Sequence, residues 1–425
     1  MAIYYVGMYI KTEGMRMDSV YISGRGIVSP LGLNLAENEA GLRSGKSGIV
    51  RVPEFISNHL DSEVGGMVGE VSAGDLIDRK KLRFCPPTSV MSVIAVAEAL
   101  TEAGIPPETA KDYRIAVVGG TASTYAYELY EVTKTYVGSN YRLRNVSPFS
   151  VPRAMPSSVV SNLSLIFGLR GESYGISAAC ATSALAVTIG ARLVQSGLYD
   201  IVIAGGAECL DWVQALGFCA CRALSHKYND EPSRASRPFD RDRDGFVLAE
   251  GAAYVVLESE KSIKARNARP ITRISGCAAN SNAVDMVVPD SAAICDVMGM
   301  AIRDAGLTPE EIGYVNTHGT STPVGDPLEL NAIRQVVGSN AAINSTKSQT
   351  GHMVSATGAA EIIFTSLMLE KNFLSANINL ENPDDDFGWA DLIREVRTGT
   401  NIKHAISNSF AFGGSNASVV LSKVD

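Results

Sequence analysis

The sequence lacks several features that would mark a specialised class of protein. Histidine occurs five times and tryptophan twice in 425 residues, and the formal net charge is −8 at pH 7. An acidic balance gives the chain as a whole no attraction to nucleic acid or to an anionic membrane. No apolar run reaches the roughly 20 residues that a membrane-spanning helix needs, so we expect no membrane span.

The seven cysteines show no pairing pattern. Their number is odd, their spacing is irregular, and no Cys-x-x-Cys pair occurs. A disulfide framework and a structural zinc site are therefore both disfavoured. We expect free thiols in a reducing cytoplasm and no bound metal. Hydrophobic residues make up 46% and charged residues 19%, a globular composition that is sufficient for two domains at this length.

Short apolar runs alternate with longer segments of helical spacing, which predicts an α/β fold with mostly parallel sheets. A helix-like segment that ends in Ala-Gly leads into a strand-like segment at residues 98–120, and the same order recurs at residues 301–319. This echo suggests two related halves, although such a unit is also common by chance. The interpretation divides the chain into an extension or tag (1–16), a first half (17–265) and a second half (266–425).

One cysteine lies where reactivity is expected. The strand-like segment at residues 174–179 runs into Cys180, and a helix-like segment begins directly after it. A sharp strand-to-helix turn exposes such a side chain and aims the unpaired N–H groups of the first helical turn at the sulfur. The helix dipole is then expected to lower the thiol pKa. A buried structural cysteine is the alternative on this segment alone.

Two of the five histidines, His318 and His352, occupy glycine-rich segments just after predicted strands. Open α/β sheets place their ligand sites at the carboxyl ends of strands, so we expect both imidazoles to face one site. Lys347 lies shortly before His352. A buried lysine needs a carboxylate partner, and Glu361 on the following helix is a candidate.

A glycine pair completes the set. Gly413 and Gly414 follow a strand-like segment that carries Phe410 and Phe412. Two glycines permit a tight turn whose N–H groups can face an oxyanion. Without the other motifs, the two aromatic side chains would be interpreted as ordinary core.

Together these motifs resemble those of the elongating β-ketoacyl-[acyl-carrier-protein] synthases, of type I or type II. The resemblance runs from about Met17 to the C-terminus and depends on SAACATSA, NTHGTSTPVGDP, TKSQTGH and NSFAFGGSN. It implies a thiolase-like fold of two duplicated halves in five αβαβα layers, usually as a homodimer. It also implies an acyltransferase that condenses an acyl thioester with malonyl-[acyl-carrier-protein], extending a fatty acyl chain by two carbons. No cofactor is implied beyond the phosphopantetheine that the carrier protein brings.

The resemblance also assigns residue roles. Cys180 would be the nucleophile, and its N–H group and that of Phe412 would form an oxyanion hole. His318 and His352 would hydrogen-bond the malonyl thioester carbonyl, in a site ordered by Lys347 and Glu361. Further implied positions are Asp326 as a polar support, Thr320 and Thr322 at the pantetheine arm, Phe218, Phe410 and Ser123 around the substrate, and Arg79, Lys80 and Arg83 at the acidic carrier protein. The last three could instead be a solvated helix face.

Departures from the family pattern concern the substrate. Ala411 replaces the usual glycine before Phe412, and we expect its methyl group to restrict that loop. The family's Gly-Ala-Ala-Gly after the second histidine reads Ser355, Ala356, Thr357, Gly358 here, and Cys219 and Cys221 follow Phe218. These changes motivate an alternative, a condensing enzyme of a specialised polyketide or aryl polyene pathway. A non-catalytic chain-length subunit of the same fold is a third possibility, but it would lack the cysteine.

Overall fold

The structure, a computed structural model, describes residues 18–424. The predicted extension at residues 1–16 lies outside the described residues. The strands within this range are β1 (Val20–Val28), β2 (Ile49–Arg51), β3 (Val64–Gly66), β4 (Ile115–Gly119), β5 (Ser173–Gly175), β6 (Ile201–Glu208), β7 (Gly251–Ser259), β8 (Thr272–Ser281), β9 (Ile312–Asn316), β10 (Ala342–Asn344), β11 (Phe373–Leu374), β12 (Asp391–Leu392), β13 (Arg397–Thr398), β14 (His404–Phe410) and β15 (Ser415–Lys423).

The α-helices of the same range are α1 (Leu35–Ser44), α2 (Pro53–Ser57), α3 (Arg79–Leu82), α4 (Pro87–Glu102), α5 (Thr124–Gly138), α6 (Ser150–Ala154), α7 (Ser158–Phe167), α8 (Thr182–Gln195), α9 (Trp212–Ala220), α10 (Glu260–Arg266), α11 (Ser291–Asp304), α12 (Gly325–Val336), α13 (Lys347–Thr350) and α14 (Thr357–Lys371). Among these residues, none of the helices combines enough length and apolar character to pass through a bilayer.

Eleven strands form one mixed sheet, in the order β12-β10-β9-β14-β15-β8-β1-β7-β6-β4-β5. The pairing pattern repeats in two halves. β7 lies antiparallel between β1 and β6, and β4 lies parallel between β6 and β5. β15 lies antiparallel between β8 and β14, and β9 lies parallel between β14 and β10. The two halves join where β1 pairs with β8, so the duplication suggested by the sequence echo is confirmed.

Helices cover these half-sheets in layers. On the outer faces, α4 and α7 pack on the first half and α11 packs on the second. Between the half-sheets lie α8 and α14, which contact each other and strands of both halves. From Thr357 to Leu369 every residue of α14 is buried, as expected for a helix whose small and apolar residues are spread over all its faces. The predicted five-layer αβαβα architecture is therefore confirmed.

Two strand predictions need correction. The strand predicted to run into the cysteine ends at Gly175, because the chain leaves the sheet once Ile176 N has donated to Gly119 O at 2.9 Å. Conversely, β15 was absent from the predicted strands. Its Ser and Asn residues mask the apolar alternation, yet all of its positions from Asn416 to Ser422 are buried between two neighbouring strands.

The boundary predicted at residues 265 and 266 falls inside α10, between the two repeats. It stays a prediction.

Candidate active site

Cys180 lies in a strained turn that leads into α8. A single 3-10 turn at Ala179–Ala181 precedes the helix, and Ala179 has a φ of +45°, a left-handed value that is costly for a residue other than glycine. Thr182 Oγ1 braces this turn, since it accepts a hydrogen bond from Ala178 N at 2.9 Å and donates to Ala179 O at 2.8 Å. The thiol is free and half-buried. The turn therefore presents the thiol at the N-terminal end of α8, as the sequence predicted.

The prediction that the helix lowers the thiol pKa is wrong. Burial raises the pKa of Cys180 to about 12, although the charge of Lys347 and the N–H groups of Phe412 and Cys180 act in the opposite direction. Desolvation of the thiolate outweighs the stabilisation that the lysine charge and the two N–H groups provide. The resting thiol is therefore protonated at neutral pH and needs a neighbouring base. The two N–H groups that face the sulfur are those implied for an oxyanion hole.

Both predicted histidines face the sulfur. The Sγ atom of Cys180 and one ring nitrogen from each of His318 and His352 lie within 4.8 Å of one another. The two rings meet edge to face, with centroids 5.4 Å apart. Burial and the charge of Lys347 hold the pKa of each imidazole well below its ordinary value. Each ring is thus neutral and has one nitrogen able to donate and one able to accept.

Backbone contacts fix where the two imidazoles lie. Glu329, on α12, accepts hydrogen bonds from His318 N at 2.8 Å and from Gly319 N at 2.7 Å. Burial raises the pKa of Glu329 to about 7. The backbone N of His352 donates to Val247 O at 2.7 Å. Glu329 was missed from the sequence because nothing in its helix distinguishes it from a solvent-facing acid.

The predicted lysine–glutamate pair is in place. Lys347 Nζ lies 2.6 Å from Glu361 Oε1, and both side chains are 1% exposed. Burial raises the pKa of Glu361 to about 7 against the effect of the lysine charge. One cysteine and two histidines are also chemically suitable zinc ligands. A buried lysine whose charge reaches all three groups repels a second cation, so the cluster suits thiol chemistry better than metal binding.

Aromatic rings line the approach to the cysteine. Phe218, on α9, packs against Phe246 and Phe412 with centroid distances of 5.1 and 6.3 Å. Phe246 in turn meets His352 at 5.5 Å. Phe410 meets the other imidazole at 5.9 Å. The predicted aromatic residues therefore surround the cluster, and Phe412 remains 37% exposed at its edge.

The glycine pair forms the expected tight turn beside that edge. Gly413 and Gly414 have φ values of +84° and +77°, which favour glycine. Gly413 N donates to Met286 O at 2.7 Å, and Asn282 N donates to Gly414 O at 2.8 Å. Ala411 N donates to Ser415 O at 2.9 Å. The loop that carries Phe412 is thus fastened to the segment that follows β8.

A second polar group supports the loop after His318. The hydroxyl oxygens of Thr320 and Thr322 lie 3.2 Å apart. Asp326 is fully buried and accepts hydrogen bonds from Phe239 N at 2.9 Å and Thr322 N at 3.2 Å. Burial raises the pKa of Asp326 to about 6. Asp326 therefore holds the threonine-bearing loop, the place that the resemblance gave to it.

Ser123 belongs to a polar network behind the aromatic wall. Its hydroxyl accepts a hydrogen bond from Gln214 Nε2. The buried carboxylate of Glu208 accepts hydrogen bonds from Ala122 N at 3.0 Å and from Ser355 Oγ at 2.7 Å. Neither Gln214 nor Glu208 was identified from the sequence, because each meets its partners only in the folded chain.

The predicted carrier-binding residues do not join the cluster. Arg79, Lys80 and Arg83 lie exposed in and just after α3. Asp78 caps this short helix by accepting a hydrogen bond from Lys80 N at 2.6 Å. The Arg83 guanidinium lies 5.1 Å from the centroid of the Phe149 ring. These residues form a basic surface apart from the thiol.

A duplicated five-layer fold whose central helix begins at a cysteine defines a class of enzyme, the thiolase-like acyltransferases that work through a thiol. Comparison with family models narrows this class. The β-ketoacyl synthase N-terminal domain matches residues 17–262, and the β-ketoacyl synthase C-terminal domain matches residues 271–381. The chain belongs to the β-ketoacyl synthase family.

Relatives extend the similarity over nearly the whole chain. The chain is 40% identical over 411 residues to 3-oxoacyl-[acyl-carrier-protein] synthase 1 of Escherichia coli, which covers 96% of this chain and 100% of that protein. A crystal structure of a β-ketoacyl synthase from Burkholderia phymatum superposes with a TM-score of 0.91 at 34% identity, over 96% of this chain and 100% of that one. A type II polyketide ketosynthase solved with its acyl-carrier protein superposes with a TM-score of 0.85 at 28% identity, again over 96% of this chain and 100% of that one.

Proposed function

We propose that this protein condenses an acyl thioester with malonyl-[acyl-carrier-protein], with loss of CO₂, and so extends a fatty acyl chain by two carbons. The observation that carries the proposal is the meeting of Cys180, His318 and His352 within 4.8 Å. The N–H groups of Cys180 and Phe412 face the same point. The names of the relatives as 3-oxoacyl-[acyl-carrier-protein] synthases support the same reaction.

In the first half-reaction, the Cys180 sulfur attacks the acyl thioester carbonyl on the pantetheine arm. A neutral imidazole takes the thiol proton and returns it to the leaving pantetheine thiolate. The N–H groups of Cys180 and Phe412 stabilise the oxyanion of the tetrahedral intermediate. Each such donor is typically worth about 3 kcal/mol in the transition state.

In the second half-reaction, the malonyl thioester loses CO₂ and leaves an enolate. Hydrogen bonds from the imidazoles to the enolate oxygen stabilise its charge as it develops. The enolate carbon attacks the acyl-Cys180 thioester, so that a C–C bond forms and the C–S bond breaks. Decarboxylation supplies the carbanion, and for this reason we propose that the chemistry needs no cofactor beyond the phosphopantetheine of the carrier.

The proposed partners are an acyl carrier protein and a second copy of this chain. The basic surface of α3 suits a strongly acidic carrier. β5 ends the large sheet with all three of its residues exposed, and Leu143 and Val151 are 75% and 77% exposed. An unpaired strand edge and exposed apolar side chains in the same half of the chain both favour pairing with a second copy. No disulfide joins the cysteines of residues 18–424, which fits the cytoplasmic location that we infer.

The test replaces the nucleophile. Cys180→Ala should lower condensation of an acyl-carrier with malonyl-carrier by at least about a thousand-fold, because it removes the sulfur that holds the acyl chain. Product is measured by mass spectrometry, and thermal unfolding shows that the fold survives. Cys295→Ser, a thiol on the outer helix α11, is the matched control and should retain wild-type activity. Condensation at the wild-type rate by Cys180→Ala would refute the proposal.

A second candidate function is favoured by the polar network behind the aromatic wall. Gln214 lies one helical turn before Phe218, and its Oε1 atom is buried without a hydrogen-bond partner in the described part of the chain. An unsatisfied buried acceptor costs free energy that a hydroxyl on the acyl primer would recover. This favours primers that carry a hydroxyl group, such as the hydroxyaryl primers expected in a specialised polyketide or aryl polyene pathway.

A primer series separates the two candidates. If the second holds, the wild-type enzyme should prefer a hydroxyaryl primer over a saturated primer of equal length, and Gln214→Met should lose that preference by about ten-fold. Gln335→Met on α12 is the matched control. If the enzyme prefers saturated primers and Gln214→Met does not change this preference, the second candidate is refuted. The extension of fatty acyl chains then remains as the proposed function.

A further inference from the structure

The His352 ring is held on one side by a residue that the family pattern does not supply. Its Nδ1 atom lies 3.1 Å from Thr357 Oγ1, and both residues are 2% exposed. Its Nε2 atom, on the other side of the ring, is buried without a hydrogen-bond partner among residues 18–424. Thr357 begins α14 at a position where the family usually has alanine. The ring is therefore anchored at Nδ1 and free at Nε2.

The hydroxyl decides which ring nitrogen carries the proton. A threonine hydroxyl has one proton to donate, and a buried donor needs an acceptor. Within the described residues, the imidazole Nδ1 is the hydrogen-bond partner recorded for Thr357 Oγ1. If Nδ1 holds a lone pair, the hydroxyl donates to it and both groups are satisfied. If Nδ1 holds the proton, the hydroxyl proton is left buried without an acceptor, which costs free energy.

The surrounding contacts keep this geometry fixed. The backbone of His352 is held on both sides, since its N donates to Val247 O at 2.7 Å and its O accepts from Ala249 N at 2.9 Å. The turn before Thr357 is held by Ser355, whose Oγ lies 2.7 Å from Glu208 Oε2. These bonds fix the backbone that carries the ring and the turn that carries the hydroxyl, which keeps the two groups within hydrogen-bond reach.

We propose that Thr357 is a positioning residue whose hydroxyl donates to Nδ1 of His352 and so keeps an N–H donor at Nε2, facing Cys180. This inference deepens the proposed function and rests on it. The Nε2–H group would hydrogen-bond the enolate oxygen during decarboxylation. The thiol proton of Cys180 is then taken by His318, whose Nδ1 has no partner within the described chain. His318 is thus the base of the first half-reaction, and His352 is kept as a hydrogen-bond donor for the second.

Three variants test this inference. Thr357→Val removes the hydroxyl at nearly constant shape, Thr357→Ser keeps it, and Thr365→Val is the matched control on the same helix. Thr365 is fully buried, and its Oγ1 lacks a hydrogen-bond partner in the described part of the chain. Acylation of Cys180 is followed by its mass shift, and decarboxylation by CO₂ release from malonyl-carrier in a single turnover.

Thr357→Val should slow decarboxylation and condensation by about ten-fold or more, while acylation changes by less than about two-fold. Thr357→Ser should stay within about three-fold of the wild type, and Thr365→Val should match it. Equal decarboxylation by Thr357→Val and the wild type would overturn the inference. A wild type that condenses nothing would instead overturn the proposed function.

A second measurement does not depend on activity, and its main result comes from the wild-type protein. Nitrogen NMR of wild-type protein labelled at its histidines reports which ring nitrogen carries the proton. The His352 signal is assigned by its loss in His352→Ala. We expect an unprotonated Nδ1 in the wild type and a mixture of tautomers in Thr357→Val. A protonated Nδ1 in the wild type would overturn the inference by itself.

Discussion

Cys180 is a weaker acid than its place at the start of a helix suggests. Because burial raises the thiol pKa to about 12, the protonated form dominates at every lower pH. The thiolate is the reactive form, and its fraction therefore rises about ten-fold for each pH unit below that value. We expect alkylation of Cys180 by iodoacetamide in the free enzyme to accelerate in this way from pH 7 to pH 10.

Peptide mass spectrometry measures this reaction, with the exposed Cys221 in the same sample as a check that reagent reaches the protein. A rate for Cys180 that levels off by pH 8 would show that the dipole and the lysine charge outweigh burial after all.

The residues of the cluster were predictable where a short stretch of sequence around them was itself distinctive. Cys180, His318 and His352 each lie in a short, distinctive segment, and Lys347 led to Glu361 because a buried cation needs a partner. The sign of the thiol pKa was not predictable, because it depends on how many apolar atoms other segments bring to the sulfur. Partners far apart in the chain escaped for the same reason: Glu208 and Ser355 meet across 147 residues, and Gln214 and Ser123 across 91.

At the scale of one element, α3 is the surface on which a partner can be tested. Replacing Arg79, Lys80 and Arg83 by glutamate should raise KM for carrier-bound substrate by about ten-fold or more and weaken its salt dependence. kcat with a small pantetheine-like thioester should not change, because α3 lies apart from the thiol. The steady-state parameters with both substrates provide the measurement.

The control for α3 is Lys261→Glu on α10, a side chain that is 76% exposed, pairs with Asp200 at 3.4 Å and is not predicted to bind the carrier. An equal loss with both substrates, or an equal effect of the control, would show that α3 does not recognise the carrier.

Elements differed in how far the sequence revealed them. α14 was recognised from its helical spacing, but its complete burial was not, since small and apolar residues all round also suit a surface helix in a complex. β15 was missed because its serine and asparagine side chains are hydrogen-bonded inside the sheet, as Ser418 is to Asn408 at 2.8 Å. Burial of polar residues with partners is invisible to a hydropathy pattern.

At the scale of the whole molecule, the unpaired edge at β5 predicts a dimer. Sedimentation should give about twice the chain mass of 45.0 kDa, and the double variant Leu143→Asp, Val151→Asp should shift the equilibrium toward the single chain. Circular dichroism checks that each chain stays folded. A wild-type protein that sediments as one chain at micromolar concentration would contradict the prediction.

The duplicated architecture was only half visible in the sequence. One helix–turn–strand echo suggested it, while the five layers came from the family resemblance and not from the spacing of the elements. Strand order depends on pairings between distant segments, such as β1 with β8, and a single sequence does not record them.

The repeat gives the molecule two matching turns, one before α8 and one before α14. Ala179, with its φ of +45°, precedes Cys180 at the start of α8, and Val354, with a φ of +41°, precedes Ser355 just before α14. At the first turn, the Cys180 thiol faces the two imidazoles of the active site. At the second turn, the Ser355 hydroxyl already donates a hydrogen bond to Glu208. Of these two turns, the first therefore presents a nucleophile for an acyl group, and the second is held by Glu208 as a fixed support for the start of α14, where Thr357 contacts His352.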